Sequence, residues 1–340
     1  MPELDIIQLN FTTPLHIGNE RADYASGHAI LHSDAFTAAI FFAWDRLGFP
    51  EWIPTAENPD TGFAISSLFP YTTVSGQPVY FLPKPLILIR SLNVLDDTSL
   101  RKKLKKVAWI DRELFTAYTQ RKLLSVPVEE NIVGNFQASI ALKPQGAFME
   151  SNVVPRAAVS RTGEEDTAIF YIERFYFKPH SGLYCLASFA NNEIRKRFQA
   201  AIRFLGDEGI GTDRNIGNGK FEPKFGDVWP LPETGSFSYG INLGLFCPES
   251  SEQLTGMIAG EDAGYDFIKR GGWLSEPYNT WRKKNVYMFK EGSCFKMENC
   301  ATFNGLPVGG KMWDVRPTET IPVITHPVWR NGRTIFIPVK

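Results

Sequence analysis

The chain of 340 residues is poor in cysteine, with four in all, and Cys185, Cys247, Cys294 and Cys300 lie far apart with no C-x-x-C pair. No histidine stands beside them at metal-ligand spacing, so neither a zinc site nor a disulfide framework is expected, and reduced thiols of a cytoplasmic protein are. A long apolar run is also missing, since the most hydrophobic stretch, Ala38 to Trp44, is far too short to span a bilayer. The opening Met1-Pro2-Glu3-Leu4-Asp5 carries acids where a secretory leader carries basic residues. Excess charge of one sign is absent too: Lys and Arg number 36 against 37 Asp and Glu. No global field would steer this molecule onto a polyanion, so any nucleic-acid binding must come from local patches.

What is present is apolar material, 43% of the residues with 13% aromatic, enough for one large or two medium cores. Ile7, Leu9 and Phe11 alternate with polar residues, the period of a half-buried strand. Ser33-Asp34 reads as a helix cap, followed by the stripe Phe36, Ile40, Trp44, Leu47 and a stop at Gly48. The aromatic runs 168–177 and 183–189, separated by Lys178-Pro179-His180-Ser181-Gly182, read as a hairpin. Asn191 or Asn192 then caps a helix with the stripe Ile194, Phe198, Ala201, Ile202 and Leu205. After the Pro-rich stretch 222–232 a strand over 236–246 and a hairpin around Glu291-Gly292-Ser293 restart the pattern.

This order predicts an α+β chain of two ferredoxin-like (RRM-like βαββαβ) modules, 1–230 and a smaller 231–340, with a helical and β-hairpin insertion over about 86–160 in the first. Within the insertion, residues 101–122 hold eight basic side chains and two acids around a helical stripe of Leu100, Leu104, Val107, Leu114 and Tyr118. They read as one basic amphipathic helix, either a solvated face or a binding face.

The chemistry-bearing segment is Gly206 to Lys220, with five glycines in fifteen positions. Glycine tolerates positive φ, so successive amides can face one way and cradle an anion, with Arg214 and Lys220 supplying charge. Spacing excludes two familiar phosphate loops. Arg214 stands where a Walker loop needs its first glycine, and Gly209-x-Gly211 is followed by Arg214 where a dinucleotide fingerprint needs its third. A mobile surface loop is the plainer alternative. Arg156 and Arg161, flanking Ser160 before a strand, could fork onto phosphates. His16, His28 and His32 fall close together, which leaves open acid–base work in metal-free RNA cleavage, though hydrogen bonding to backbone or RNA is favoured. Metal spacing and a nucleophile elbow are absent, and so is the paired-aromatic signature for base stacking, which leaves Phe170, Tyr171, Phe175 and Tyr176 to core and interface.

Five motifs in order carry a family resemblance: Phe11-Thr12-Thr13-Pro14-Leu15-His16-Ile17-Gly18, His32-Ser33-Asp34-Ala35-Phe36, Ile65-Ser66-Ser67-Leu68-Phe69-Pro70-Tyr71, Tyr80-Phe81-Leu82-Pro83-Lys84-Pro85 and the glycine loop. Together they resemble the RAMP superfamily, and within it the subunits that cap the 5′ end of the guide RNA in type III-A CRISPR (Csm) effector complexes. The resemblance implies a non-catalytic subunit, without cofactor or metal. Its partners would be the repeat-derived 5′ tag of crRNA, the large polymerase/cyclase-like subunit and a RAMP backbone subunit, with no membrane. Carried onto this sequence, it implies tag contacts from His16, Gly18, His32, Ser33, Gly209, Gly211, Asp213, Arg214, Gly217, Gly219 and Lys220. Arg156 and Arg161 would sit near a protruding thumb hairpin. Thr212 and Asn215 replace the Gly and Ser usual in the family loop. The alternative within the superfamily is a metal-independent endoribonuclease that matures crRNA with His16, His28 or His32.

Overall fold

The computed structural model describes residues 2–20, 23–27, 30–87, 98–122, 128–158, 168–231, 237–275, 277–297, 301–319 and 323–340. His28, Ser160, Arg161 and Cys300 lie outside the described residues. The architecture is α+β, with few helices and many strands.

The first sheet is built from β1 (Glu3–Phe11), followed by helix α1 (Ser33–Arg46), β2 (Phe69–Val74), β3 (Gln77–Pro83), β4 (Gly182–Phe189), helix α2 (Asn192–Glu208) and β5 (Phe221–Pro230). Its strands lie in the order β5-β1-β4-β2-β3, all antiparallel. β1 is an interior strand beside the edge, with Leu9 opposite Leu183 on one side and Pro223 on the other.

Both faces of β1 are covered, where sequence alternation had suggested one. Ile7 and Leu9 face the two helices, packing with Phe36, Ile40, Phe198 and Leu205. Leu4 and Ile6 join a second cluster that includes Ile241, Leu243, Ile335, Ile337 and Val339 from the C-terminal segment. That segment forms a five-stranded sheet in the order 294–296, 239–242, 334–339, 306–309, 301–303. The two sheets thus share one core, and Gln8, turned into it, is satisfied by donating to the Tyr80 hydroxyl at 2.6 Å.

Several elements depart from the sequence reading. The Pro-rich stretch after α2 is itself strand β5, which lies at the sheet edge, where proline is tolerated because one side needs no ladder donors. Residues 168–177 do not pair with β4. They pair along their whole length with 149–158, Pro155 lying opposite Tyr171, and form a separate two-stranded ribbon. The 178–182 turn is therefore a corner between sheets, and Tyr171 and Tyr176 are exposed while Phe175 is buried. The Glu291-Gly292 turn likewise joins strands with other partners, 286–289 pairing with 267–270 and 294–296 with 239–242. In each case the turn chemistry was legible, but pairing is decided by long-range burial that turn residues do not encode.

The basic insertion is two helices, Thr98–Lys106 and Arg112–Thr119, split by the strand 109–111 that extends the first sheet beside β3. The split follows from Asp111, whose carboxylate accepts from the Leu114 amide at 2.9 Å and starts the second helix. The stripe Leu104, Val107, Leu114 and Tyr118 is buried as expected, in the shared core. At α1 the cap position is His32, without a side-chain cap bond, so Ser33-Asp34 are the first helical residues and not its cap. Asn191 does cap α2, accepting from the Ile194 amide at 2.9 Å. No helix among the described residues is long and apolar enough to cross a membrane.

Candidate nucleic-acid interface

α2 ends at Gly209, and the chain turns back across the segment that follows β1. Thr12 donates to the Lys220 carbonyl at 2.9 Å, Gly219 to Pro14 at 2.8 Å and Thr212 to His16 at 2.9 Å. The Thr13 hydroxyl accepts from the Lys220 amide at 2.9 Å, and the Thr212 hydroxyl from the Gly18 amide at 3.1 Å. The loop is stitched to the 12–18 segment, and several amides that could have cradled an anion are already occupied.

Its glycines are demanded by this stitching. A Cβ on Gly219, at φ +74°, would lie 1.8 Å from the Ile210 carbonyl oxygen, and one on Gly211, at φ +96°, would lie 2.4 Å from that of His16. No side chain fits there, so the glycine density reflects backbone meeting backbone as much as backbone meeting ligand. Thr212, one of the two departures from the family loop, supplies the hydroxyl that ties down Gly18.

Between this loop and α1 opens a cleft of about 310 Å³. Gly18, Gly209, Gly211 and Arg214 line one side, and Ala35, Ala38, Ala39 and Phe42 of α1 the other. The small α1 residues recur at helical spacing and keep that wall of the cleft low. Arg214 lies over the Phe42 ring, 4.4 Å from its centroid, which fixes the guanidinium at the mouth. Lys220 is exposed at the far end of the loop.

His32 lines the cleft from behind and is nearly buried. Its Nδ1 lies 2.8 Å from Glu291 Oε1, and the Ser67 hydroxyl donates to the same oxygen. Burial pushes the Glu291 carboxyl up, but the imidazole and the hydroxyl more than offset it and hold it below the usual carboxylate range. Beside it, Asp34 is buried with two arginines from the C-terminal segment. Arg270 donates to both its oxygens, from Nε at 3.0 Å and Nη2 at 3.1 Å, and Arg330 donates to Oδ2. Burial pushes Asp34 up, and the two guanidiniums pull it far below the carboxylate range.

The residues expected at a site thus separate into groups. Gly18, His32, Gly209, Gly211 and Arg214 meet in the cleft. Ser33 is fully buried, its hydroxyl accepting from the Leu245 amide at 2.9 Å, where it joins α1 to the C-terminal segment. His16 is 1% exposed, its Nδ1 2.7 Å from the Glu173 carbonyl on the ribbon. Asp213 turns to that ribbon too, paired with Arg156 and Arg174 at 3.5 Å each. Gly217 and Gly219 shape the loop away from the cleft. Arg161 is not among the described residues. The α1 wall and Arg270 were missed; the small-residue stripe was visible in sequence, whereas nothing local marks Arg270, 236 positions from Asp34.

Against known proteins, residues 237–339 match the family model described as CRISPR Csm4 C-terminal domain. A curated relative, "CRISPR system Cms protein Csm4" of Thermococcus onnurineus (strain NA1), is 27% identical over 243 residues, 69% of this chain and 71% of that protein. A chain of the Csm3-Csm4 subcomplex of the type III-A CRISPR-Cas interference complex superposes with TM-score 0.65 at 18% identity, covering 99% of each chain. A chain of the Csm1-Csm4 cassette in complex with cA4 gives TM-score 0.58 at 21% identity, covering 100% of this chain and 98% of that one. The match at the C-terminal end, the sequence relative and the fold agree: residues 237–339 match the Csm4 C-terminal domain, and the chain is similar in sequence and in fold to Csm4 proteins.

Proposed function

We propose that this chain is a non-catalytic RNA-binding subunit that holds the 5′ repeat-derived tag of crRNA in the cleft between the glycine loop and α1. The observation that carries the reading is that cleft: a stitched loop, a low alanine wall and a cation fixed at the mouth, open enough for a single strand. In this reading Arg214 and Lys220 neutralise phosphates, and the rigid backbone of Gly18, Gly209 and Gly211 sets their path. The β5-β1-β4-β2 order is the fourth-first-third-second arrangement of a ferredoxin-like module. We take 1–230 as that module and 231–340 as a smaller second one packed on its open face.

The relatives' assemblies suggest the neighbours. Solved structures with this fold are described as complexes with Csm1 and with Csm3. By analogy this subunit would sit between a large polymerase/cyclase-like subunit and a RAMP backbone subunit, in a cytoplasmic antiviral effector complex.

The His-based nuclease reading is less well supported. His16 is buried behind the loop with Nδ1 on a carbonyl, and His32 is held by Glu291, so the two rings do not flank one open position. Purified protein, alone and with its neighbouring subunits, should bind tag-bearing RNA in preference to a scrambled tag and leave repeat RNA intact in EDTA. Equal binding of both RNAs would remove the tag reading. Site-specific cleavage lost on His32→Ala would replace it with the nuclease.

A further inference from the structure

The cleft continues beyond the glycine loop. Arg270 and Ser275 complete its lining, and Ser275 also lines an adjoining groove that runs past Lys283. Arg270 is held on Asp34 through Nε and Nη2, and its side chain is 20% exposed. Lys283 is half-buried and, among the described residues, makes no ion pair within 4 Å. The charges acting on it are Arg330, Arg270 and Asp34, and Asp34 is already shared by the two arginines. Nearby Glu291 is taken by His32. Arg270 on the cleft and Lys283 on the adjoining groove, with Arg330 buried behind them, thus set three basic groups against the one carboxylate of Asp34. Exposed Asp45 and Glu57, with Tyr278 and His326, line other parts of the groove.

We propose that Arg270 and Lys283 form a second phosphate subsite, which takes a phosphodiester of the same RNA strand whose neighbouring phosphates lie along the glycine loop. The inference rests on the RNA-binding reading and extends it to the C-terminal half of the chain. A cation kept half-buried without a carboxylate of its own lacks a structural purpose, since its like-charged neighbours disfavour it, and an anionic ligand would supply the missing counter-charge. Burial and the Arg330 and Arg270 guanidiniums push Lys283 down to about 8, as expected for a cation awaiting a partner.

The test is a salt series of anisotropy titrations at neutral pH, using the full chain, tag-bearing RNA and four proteins: wild type, Lys283→Gln, Lys283→Arg and Arg214→Ala. Lys283→Gln is expected to weaken binding several-fold and to lower the slope of log affinity against log salt by about 0.7, one single-strand phosphate contact. Its melting temperature should be unchanged or raised, and Lys283→Arg should restore both affinity and slope. Wild-type affinity and slope in Lys283→Gln, alongside weakened Arg214→Ala, would overturn the subsite and leave the loop reading standing. Binding lost together with melting temperature, and not recovered by Lys283→Arg, would assign Lys283 a structural role and overturn it equally. Failure of the wild type to bind the tag RNA would remove the reading beneath it.

Discussion

A methyl group on Gly219 would sit 1.8 Å from the carbonyl oxygen of Ile210, inside a loop whose other contacts leave neither residue room to withdraw. Gly219→Ala should therefore cost roughly 2 kcal/mol or more, the left-handed strain plus a displaced backbone. Gly217, at φ +83°, has nothing within 4 Å of its missing Cβ. Gly217→Ala should cost only about 1 kcal/mol, the conformational part alone. Denaturant unfolding of the two variants checks the contrast; equal losses would mean the loop is not packed as described.

Arg214 and Lys220 should act on RNA and hardly on the fold. Each change to alanine is expected to reduce the salt slope of RNA binding by about 0.7 and the affinity severalfold. Arg214→Ala also gives up its place over Phe42, worth about 0.5–1 kcal/mol of stability at an exposed site. Unaltered slopes in both variants would take the loop out of the interface.

Asp34 ties α1 to the C-terminal segment through Arg270 and Arg330. Asp34→Asn should cost about 3–5 kcal/mol, because it leaves buried guanidiniums without their counter-charge. The folded carboxyl lies below its unfolded value, so its contribution is present above about pH 4 and lost as pH falls below that toward its folded value. The wild type should show an acid loss of stability there that the variant lacks.

Lys283 gives the opposite sign. Its folded value, about 8, lies below the ordinary lysine value of 10.5, so between them the unfolded chain binds the extra proton and stability rises with pH. Lys283→Met should be the more stable protein at pH 7, by an amount on the order of 1 kcal/mol. The gap should close as pH rises above 8. Urea titrations of both proteins from pH 7 to 10 measure it.

Much of the first sheet was legible in the sequence because its elements advertise themselves locally. β1 alternates, α1 and α2 carry apolar stripes, and Asn191 announces a helix start. Pairing was less legible. The ribbon 149–158 with 168–177 and the edge strand β5 are set by partners distant in the chain, and β5 was further disguised by Pro223 and Pro230. At the cleft, glycine spacing marked the loop, of which Gly209, Gly211 and Arg214 line one wall. It did not distinguish glycines that face the cleft from those that admit a neighbouring carbonyl, because both need the same missing Cβ. Ser33 looked like a cap and proved to be a joint, since only the fold reveals that Leu245 lies against it.

The back of the cleft has a consequence for the protein's synthesis. His32 and Asp34 emerge early, but Glu291 stands 259 positions after His32 and Arg330 296 after Asp34. Until these residues have been made, His32 lacks its buried hydrogen-bond partner, Asp34 at the start of α1 lacks a counter-charge, and β1 has one bare face. A nascent chain therefore has no finished back to this cleft until Glu291 and Arg330 have been made.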